Sequence, residues 1–132
     1  MAKAIHTMVR VLDLDRSIAF YREAFGLEVA DRFDFDGFTL AYLRNAQADF
    51  EVELTLNKGR GEPYDLGDGY GHIALTVADL DGLLERLAEQ GIVPERPPYE
   101  PGGRGIRICF VRDPDGYRVE LIDGDFATPQ DP

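Results

Sequence analysis

The chain repeats itself. Residues 6–15, HTMVRVLDLD, slide 66 positions onto residues 72–81, HIALTVADLD, and five of the ten positions are identical: His6/His72, Val11/Val77, Asp13/Asp79, Leu14/Leu80 and Asp15/Asp81. A second match, Val52-Glu53-Leu54 with Val119-Glu120-Leu121, follows at a shift of 67. Two halves that share both their opening and their closing segments are expected to fold as two copies of one unit. The border falls in Asn57 to Tyr70, NKGRGEPYDLGDGY, where Gly, Pro and Asp are too dense for a regular element. The organisation expected is a first module over 1–57, a linker over 58–70, a second module over 71–124 and a tail over 125–132.

Each half reads as strand, helix and three strands. His6 to Leu12 alternates and is β-branched, and Asp13 or Asp15 offers a side-chain oxygen to the orphan N–H groups of a following helix. Leu14, Ile18, Tyr21 and Phe25 form one apolar helical face, and Gly26 supplies the left-handed stop. Leu27 to Phe35, Phe38 to Leu43 and Phe50 to Leu56 read as strands, the first two joined at Asp36-Gly37. In the second half Leu80, Leu83, Leu84 and Leu87 make the helical stripe before Gly91. Ile92 to Glu95, Ile106 to Arg112 and Tyr117 to Ile122 read as strands, the last two linked by the turn Asp113-Pro114-Asp115-Gly116. The fold class expected is α+β, βαβββ twice in tandem.

The halves also share their chemistry. The chain has two histidines, and His6 and His72 both open the first strand of their half; Glu53 and Glu120 both sit in the closing strand. If the first and last strands of each half adjoin, each half offers one imidazole and one carboxylate. A lone strand histidine is ordinarily packed or on the surface, and a lone strand glutamate faces solvent. A solvated face gives no reason for the two residue types to recur together in both halves. Two neutral imidazoles and two carboxylates balance a divalent cation, and the mixed N/O set suits Ni²⁺, Co²⁺, Zn²⁺ or Fe²⁺ better than Ca²⁺ or Mg²⁺. The helix-flanking Asp13, Asp15, Asp79 and Asp81 read as caps, and Phe20, Tyr21, Phe25, Phe33, Phe35 and Phe38 as core or interface.

Composition narrows the partners. Fourteen Lys plus Arg against twenty-five Asp plus Glu leave a charge of −11 on 132 residues, which repels phosphate backbones and anionic lipid; neither nucleic acid nor membrane is expected as a partner. With 44% apolar residues a core is within reach. Cys109 is the single cysteine and has no internal disulfide partner. With no signal peptide legible from Met1 to Arg10, the expected location is cytoplasmic.

The segments IHTMVRVLDLDRSIAFYREAFGLEV, VELTLN, YGHIALTV and FVRDPDGYRVELI, in that order, resemble bacterial glyoxalase I (lactoylglutathione lyase) of the vicinal oxygen chelate superfamily, from about Ile5 to Ile122. The resemblance implies half-barrel sheets paired across a homodimer with shared active sites. The implied reaction isomerises the methylglyoxal–glutathione hemithioacetal to S-D-lactoylglutathione by proton transfer through an enediolate. It implies His6, Glu53, His72 and Glu120 as metal ligands, with Ni²⁺ or Co²⁺ favoured over Zn²⁺ because the first ligand is His. It implies Glu120 as principal base, with Glu53 its pseudo-symmetric partner. Arg10 and Asn57 match residues that bind a terminal carboxylate of glutathione. Where the family has a basic residue before a Gly-Gly pair this chain has Pro101, and Arg104 or Arg107 stands nearby to supply the charge.

Three other functions compete. An extradiol dioxygenase of this superfamily uses two His and one Glu, and Glu53 would fill a position that oxygen needs. An epimerase shares the enolate chemistry, while Arg10 and Asn57 favour glutathione. A bleomycin-resistance-type protein is a metal-free binding module.

Overall fold

Burial alternates along the first strand. Val9 and Val11 are buried, while His6, Met8 and Arg10 face outward from β1 (His6–Val11). The computed structural model describes residues 1–103 and 105–124; Arg104 and the tail expected over 125–132 lie outside the described residues. Two compact units divide the chain, Met1–Asp65 and Leu66–Pro132.

In the first unit β1 leads into α1 (Leu14–Phe25). The Asp13 carboxylate accepts from the Arg16 N–H at 3.0 Å, which satisfies one orphan donor of the first turn. Gly26 ends the helix at φ 71°, a left-handed conformation that disfavours any side chain. Leu14, Ile18, Tyr21 and Ala24 bury the inner face of α1 over the sheet, with Ser17 fully enclosed among them. The sheet is completed by β2 (Glu28–Asp34), β3 (Phe38–Arg44) and β4 (Glu51–Asn57), in the order β1-β4-β3-β2. β1 and β4 run parallel and the other pairs antiparallel. Ala41, Leu43, Val52 and Leu54 carry the core across it, each fully buried Leu contributing roughly 1.5–3 kcal/mol of hydrophobic free energy.

The second unit has β5 (Ile73–Val77), α2 (Leu80–Glu89), β6 (Ile108–Arg112) and β7 (Arg118–Asp123), with sheet order β5-β7-β6. β5 pairs parallel with β7, and β6 antiparallel with it. Asp79 caps α2 through the Gly82 N–H at 3.0 Å, and Leu80, Leu83 and Leu87 are buried. Cys109 is a free thiol on β6, fully enclosed, and burial raises its pKa above the ordinary range. In the turn before β7 the buried Asp113 accepts from the N–H groups of Asp115 and Tyr117, both at 2.9 Å.

The α+β architecture stands, with the first unit a full βαβββ module, but one expected strand is missing. Residues 92–95 form no regular strand, because Pro94 within the run and Pro97 and Pro98 beyond it remove ladder donors. What survives of the strand is pairing at isolated points along β6. Glu95 donates its N–H to the Phe110 carbonyl at 2.9 Å, and Tyr99 and Ile108 exchange hydrogen bonds of 3.0 and 2.8 Å. The strand expected from Ile106 starts at Ile108. No helix among the described residues is long and apolar enough to cross a membrane.

Candidate active site

Strand register brings the repeated residues together. In the first unit Met8 lies opposite Glu53 in the parallel ladder, so His6, two residues earlier, shares its face. The His6 Nε2 stands 3.1 Å from Glu53 Oε1. In the second unit Ala74 lies opposite Glu120, and His72 holds the same two-residue offset. There His72 Nε2 stands 3.2 Å from Glu120 Oε1. Each unit thus presents one imidazole nitrogen and one carboxylate oxygen side by side. Within each unit the set stops there: among the described residues no group of three or more His, Cys, Asp or Glu side chains is poised to hold a metal.

An aromatic ring backs each imidazole. Tyr42, the antiparallel partner of Glu53, meets His6 edge-on at 5.4 Å and 80°. Phe110, the antiparallel partner of Glu120, meets His72 at 5.2 Å and 78°. These rings fix the imidazole planes, and the sequence reading did not single them out. Their signal was available, since both stand on the strand antiparallel to the one bearing the repeated glutamate, directly across from it.

The carboxylates are dressed differently. Glu53 is 8% exposed, and its Oε2 accepts the Thr55 hydroxyl at 3.1 Å. Burial first, then the charge of Glu53 and a hydrogen bond to it, push the Tyr42 phenol above its ordinary range. Beside Glu120 stand Phe110, Ile122 and Arg118. The Arg118 guanidinium lies 3.9 Å over the Phe110 ring and grips Glu95 through two hydrogen bonds of 3.1 and 2.9 Å. Tyr70 donates to the Arg118 carbonyl at 3.1 Å, and burial, with the charge of Asp113, pushes its phenol up to about 12.

Of the residues expected to bind substrate, Arg10 and Asn57 lie on the same face of the first sheet as His6 and Glu53. Arg10 is opposite Thr55 in the ladder, one alternation short of Asn57. The Asn57 amide donates to the Tyr64 hydroxyl at 3.1 Å, and Arg60 stacks 3.9 Å above the Tyr64 ring. Arg107 is engaged elsewhere, bonded to Asp81 at 2.9 and 3.2 Å and to Asp123 at 3.4 Å. Asp81, read from sequence as a cap, is the partner of that arginine, whose hydrogen bond is the main cause holding its carboxyl below the ordinary range. Phe33, Phe35 and Phe38, read as core or interface, are exposed, whereas Tyr21 is fully buried.

Each unit sets a histidine at its opening, His6 as the first residue of β1 and His72 just before β5 rather than within the strand expected there, and a glutamate in its closing strand, which defines a class of duplicated modules. The chain belongs to the glyoxalase/bleomycin resistance protein/dioxygenase superfamily, whose family model matches residues 3–121. It is 40% identical over 124 residues to a probable lactoylglutathione lyase of Synechocystis, covering 89% of this chain and 92% of that protein. To the lactoylglutathione lyase of Salmonella typhimurium it is 41% identical over 127 residues, covering 92% of each. Glyoxalase I from Zea mays superposes with a TM-score of 0.83 at 37% identity, covering 92% of this chain and 44% of that one, so this chain spans less than half of the maize protein.

Proposed function

We infer that the chain is a metal-dependent lactoylglutathione lyase, isomerising the hemithioacetal of methylglyoxal and glutathione to S-D-lactoylglutathione. The observation that carries the reading is the twofold recurrence of an imidazole–carboxylate pair at 3.1 and 3.2 Å at equivalent places of the two units, in a chain similar to proteins named for that activity. His6, Glu53, His72 and Glu120 are the ligands. Their two neutral nitrogens and two anionic oxygens fit a divalent ion of intermediate hardness, Ni²⁺ or Co²⁺ before Zn²⁺. When bound, such an ion supplies Lewis acidity for the negative charge that develops on the substrate oxygens.

The chain's own residues do the rest. Glu120 removes the proton from the carbon next to the carbonyl and returns it to the neighbouring carbon, through an enediolate. Glu53 is its pseudo-symmetric partner. Arg10 and the Tyr64-held Asn57 bind a terminal carboxylate of the thiol carrier, where a charged hydrogen bond is worth more than a neutral one. Such local cations are needed to draw an anionic substrate to a chain of charge −11. With Arg107 engaged by two aspartates, Arg104 is left as the expected cation near Pro101. Each unit supplies two donors, so a complete set takes two units; the open edges of the sheets favour drawing them from two copies, and the working form is a homodimer with shared sites, acting in the cytoplasm.

The test is formation of S-lactoylglutathione by metal-stripped protein. Chelation abolishes activity, and Ni²⁺ or Co²⁺ restores more of it than Mg²⁺ does. Undiminished activity in the stripped protein would remove the ligand assignment and leave a metal-independent binding or isomerising module.

A further inference from the structure

The two half-sites match in backbone and differ in hydroxyls. His6 and His72 hold the same offset from their glutamates, and Tyr42 and Phe110 hold the same cross-strand position and the same edge-on packing. Two residues beyond the glutamate on the same face, Thr55 in the first unit corresponds to Ile122 in the second. Both positions able to carry a donor do so beside Glu53, and neither does beside Glu120.

We propose that Thr55, together with Tyr42 across the ladder, is a positioning residue that holds Glu53 as a fixed ligand, and that Phe110 and Ile122 at the matching places leave Glu120 freer to move. The inference rests on the ligand assignment above. Its physical basis is the number of contacts that hold each carboxylate in place. A carboxylate offers about four lone-pair sites. On Glu53, His6 lies against one oxygen and Thr55 donates to the other, in a pocket that leaves 8% of the residue exposed. Swinging this carboxylate away means breaking a buried hydrogen bond and stranding its donor. Among the described residues Glu120 receives no hydroxyl hydrogen bond, so it can rotate away from His72 with less lost. The fold thereby makes unequal partners of two glutamates that the repeat places identically.

The test uses full-length, metal-stripped protein with Co²⁺ as the probe, titrated against a chelator of known affinity, and melting curves as a control for folding. Tyr42→Phe keeps the ring on His6 and removes the hydroxyl alone. The double variant Tyr42→Phe/Thr55→Val should bind Co²⁺ about 10- to 100-fold more weakly, the range seen when partners behind a ligand are removed. Thr55→Ser, which keeps the donor, should restore most of it. The reciprocal variant Phe110→Tyr/Ile122→Thr should bind Co²⁺ at least as tightly as the parent while kcat at saturating Co²⁺ falls tenfold or more and KM holds. Parental Co²⁺ affinity in a normally melting Tyr42→Phe/Thr55→Val, or parental kcat in Phe110→Tyr/Ile122→Thr, overturns the proposal. Failure of the parent protein itself to bind Co²⁺ would overturn the ligand assignment instead, and the two failures are read from different samples.

Discussion

At the scale of single residues, the pairing of Glu53 with His6 and of Glu120 with His72 was legible because the repeat marks all four, and no composition or propensity argument would have done so. Their surroundings were not. Tyr42 and Phe110 are aromatic residues in strands, the pattern of ordinary sheet packing, and only the ladder register shows that each lies across from a glutamate. Arg107 illustrates the opposite failure: a nearby arginine in the sequence is bound to Asp81 and Asp123 in the fold. A prediction separates the two carboxylates. Glu120→Gln keeps an oxygen for a cation but cannot take a proton, so turnover should fall by about 10²–10⁴-fold while bound divalent metal, measured on the same sample, falls much less. Glu53→Gln should show the reverse order, losing metal first. If Glu53→Gln is the inactive, metal-replete variant, the roles assigned here are exchanged.

At the scale of elements, the helices and most strands follow from alternation, apolar stripes and caps, all of which are local signals. The exception is the second strand of the second unit. Its apolar start, Ile92-Val93, suggests pairing that Pro94 then prevents, and a side-chain cluster ties the segment down instead. Glu95 is bonded to Arg118 on β7 and paired with Arg112 on β6 at 3.1 Å. The hydrogen bond from Arg118, outweighing the opposing effect of burial and helped by both positive charges, holds the Glu95 carboxyl below the ordinary range. A carboxyl lowered in the folded state contributes stability that is present above its unfolded pKa and lost as pH falls through its folded one. Glu95→Gln should therefore cost about 1 kcal/mol at pH 7, and the gap between variant and parent should narrow towards pH 3. Urea unfolding midpoints at the two pH values check this; a gap of constant size would show that Glu95 acts by packing rather than by charge.

At the scale of the whole molecule, the repeat accounts for the number of donors: two per unit, four per chain. It does not decide whose units complete a site. Among the described residues both sheets end in strands with an unpaired side, β1 and β2 in the first and β5 in the second, and β2 is exposed along its whole length. Open edges invite pairing with a second copy of the chain, and a twofold axis lets two copies complete each other. Mixing two inactive variants distinguishes shared sites from sites built within one chain. Take Glu53→Ala in one chain and Glu120→Ala in another, co-expressed. If each site joins the first unit of one chain to the second unit of its partner, a mixed dimer collects both lesions in one site and leaves the other intact. Random pairing makes half the dimers mixed, so the co-expressed pair should recover up to about a quarter of parental activity, although neither variant alone is active. If each chain closes its own site, every site carries one lesion, the mixture stays as inactive as its components, and the shared-site dimer is refuted.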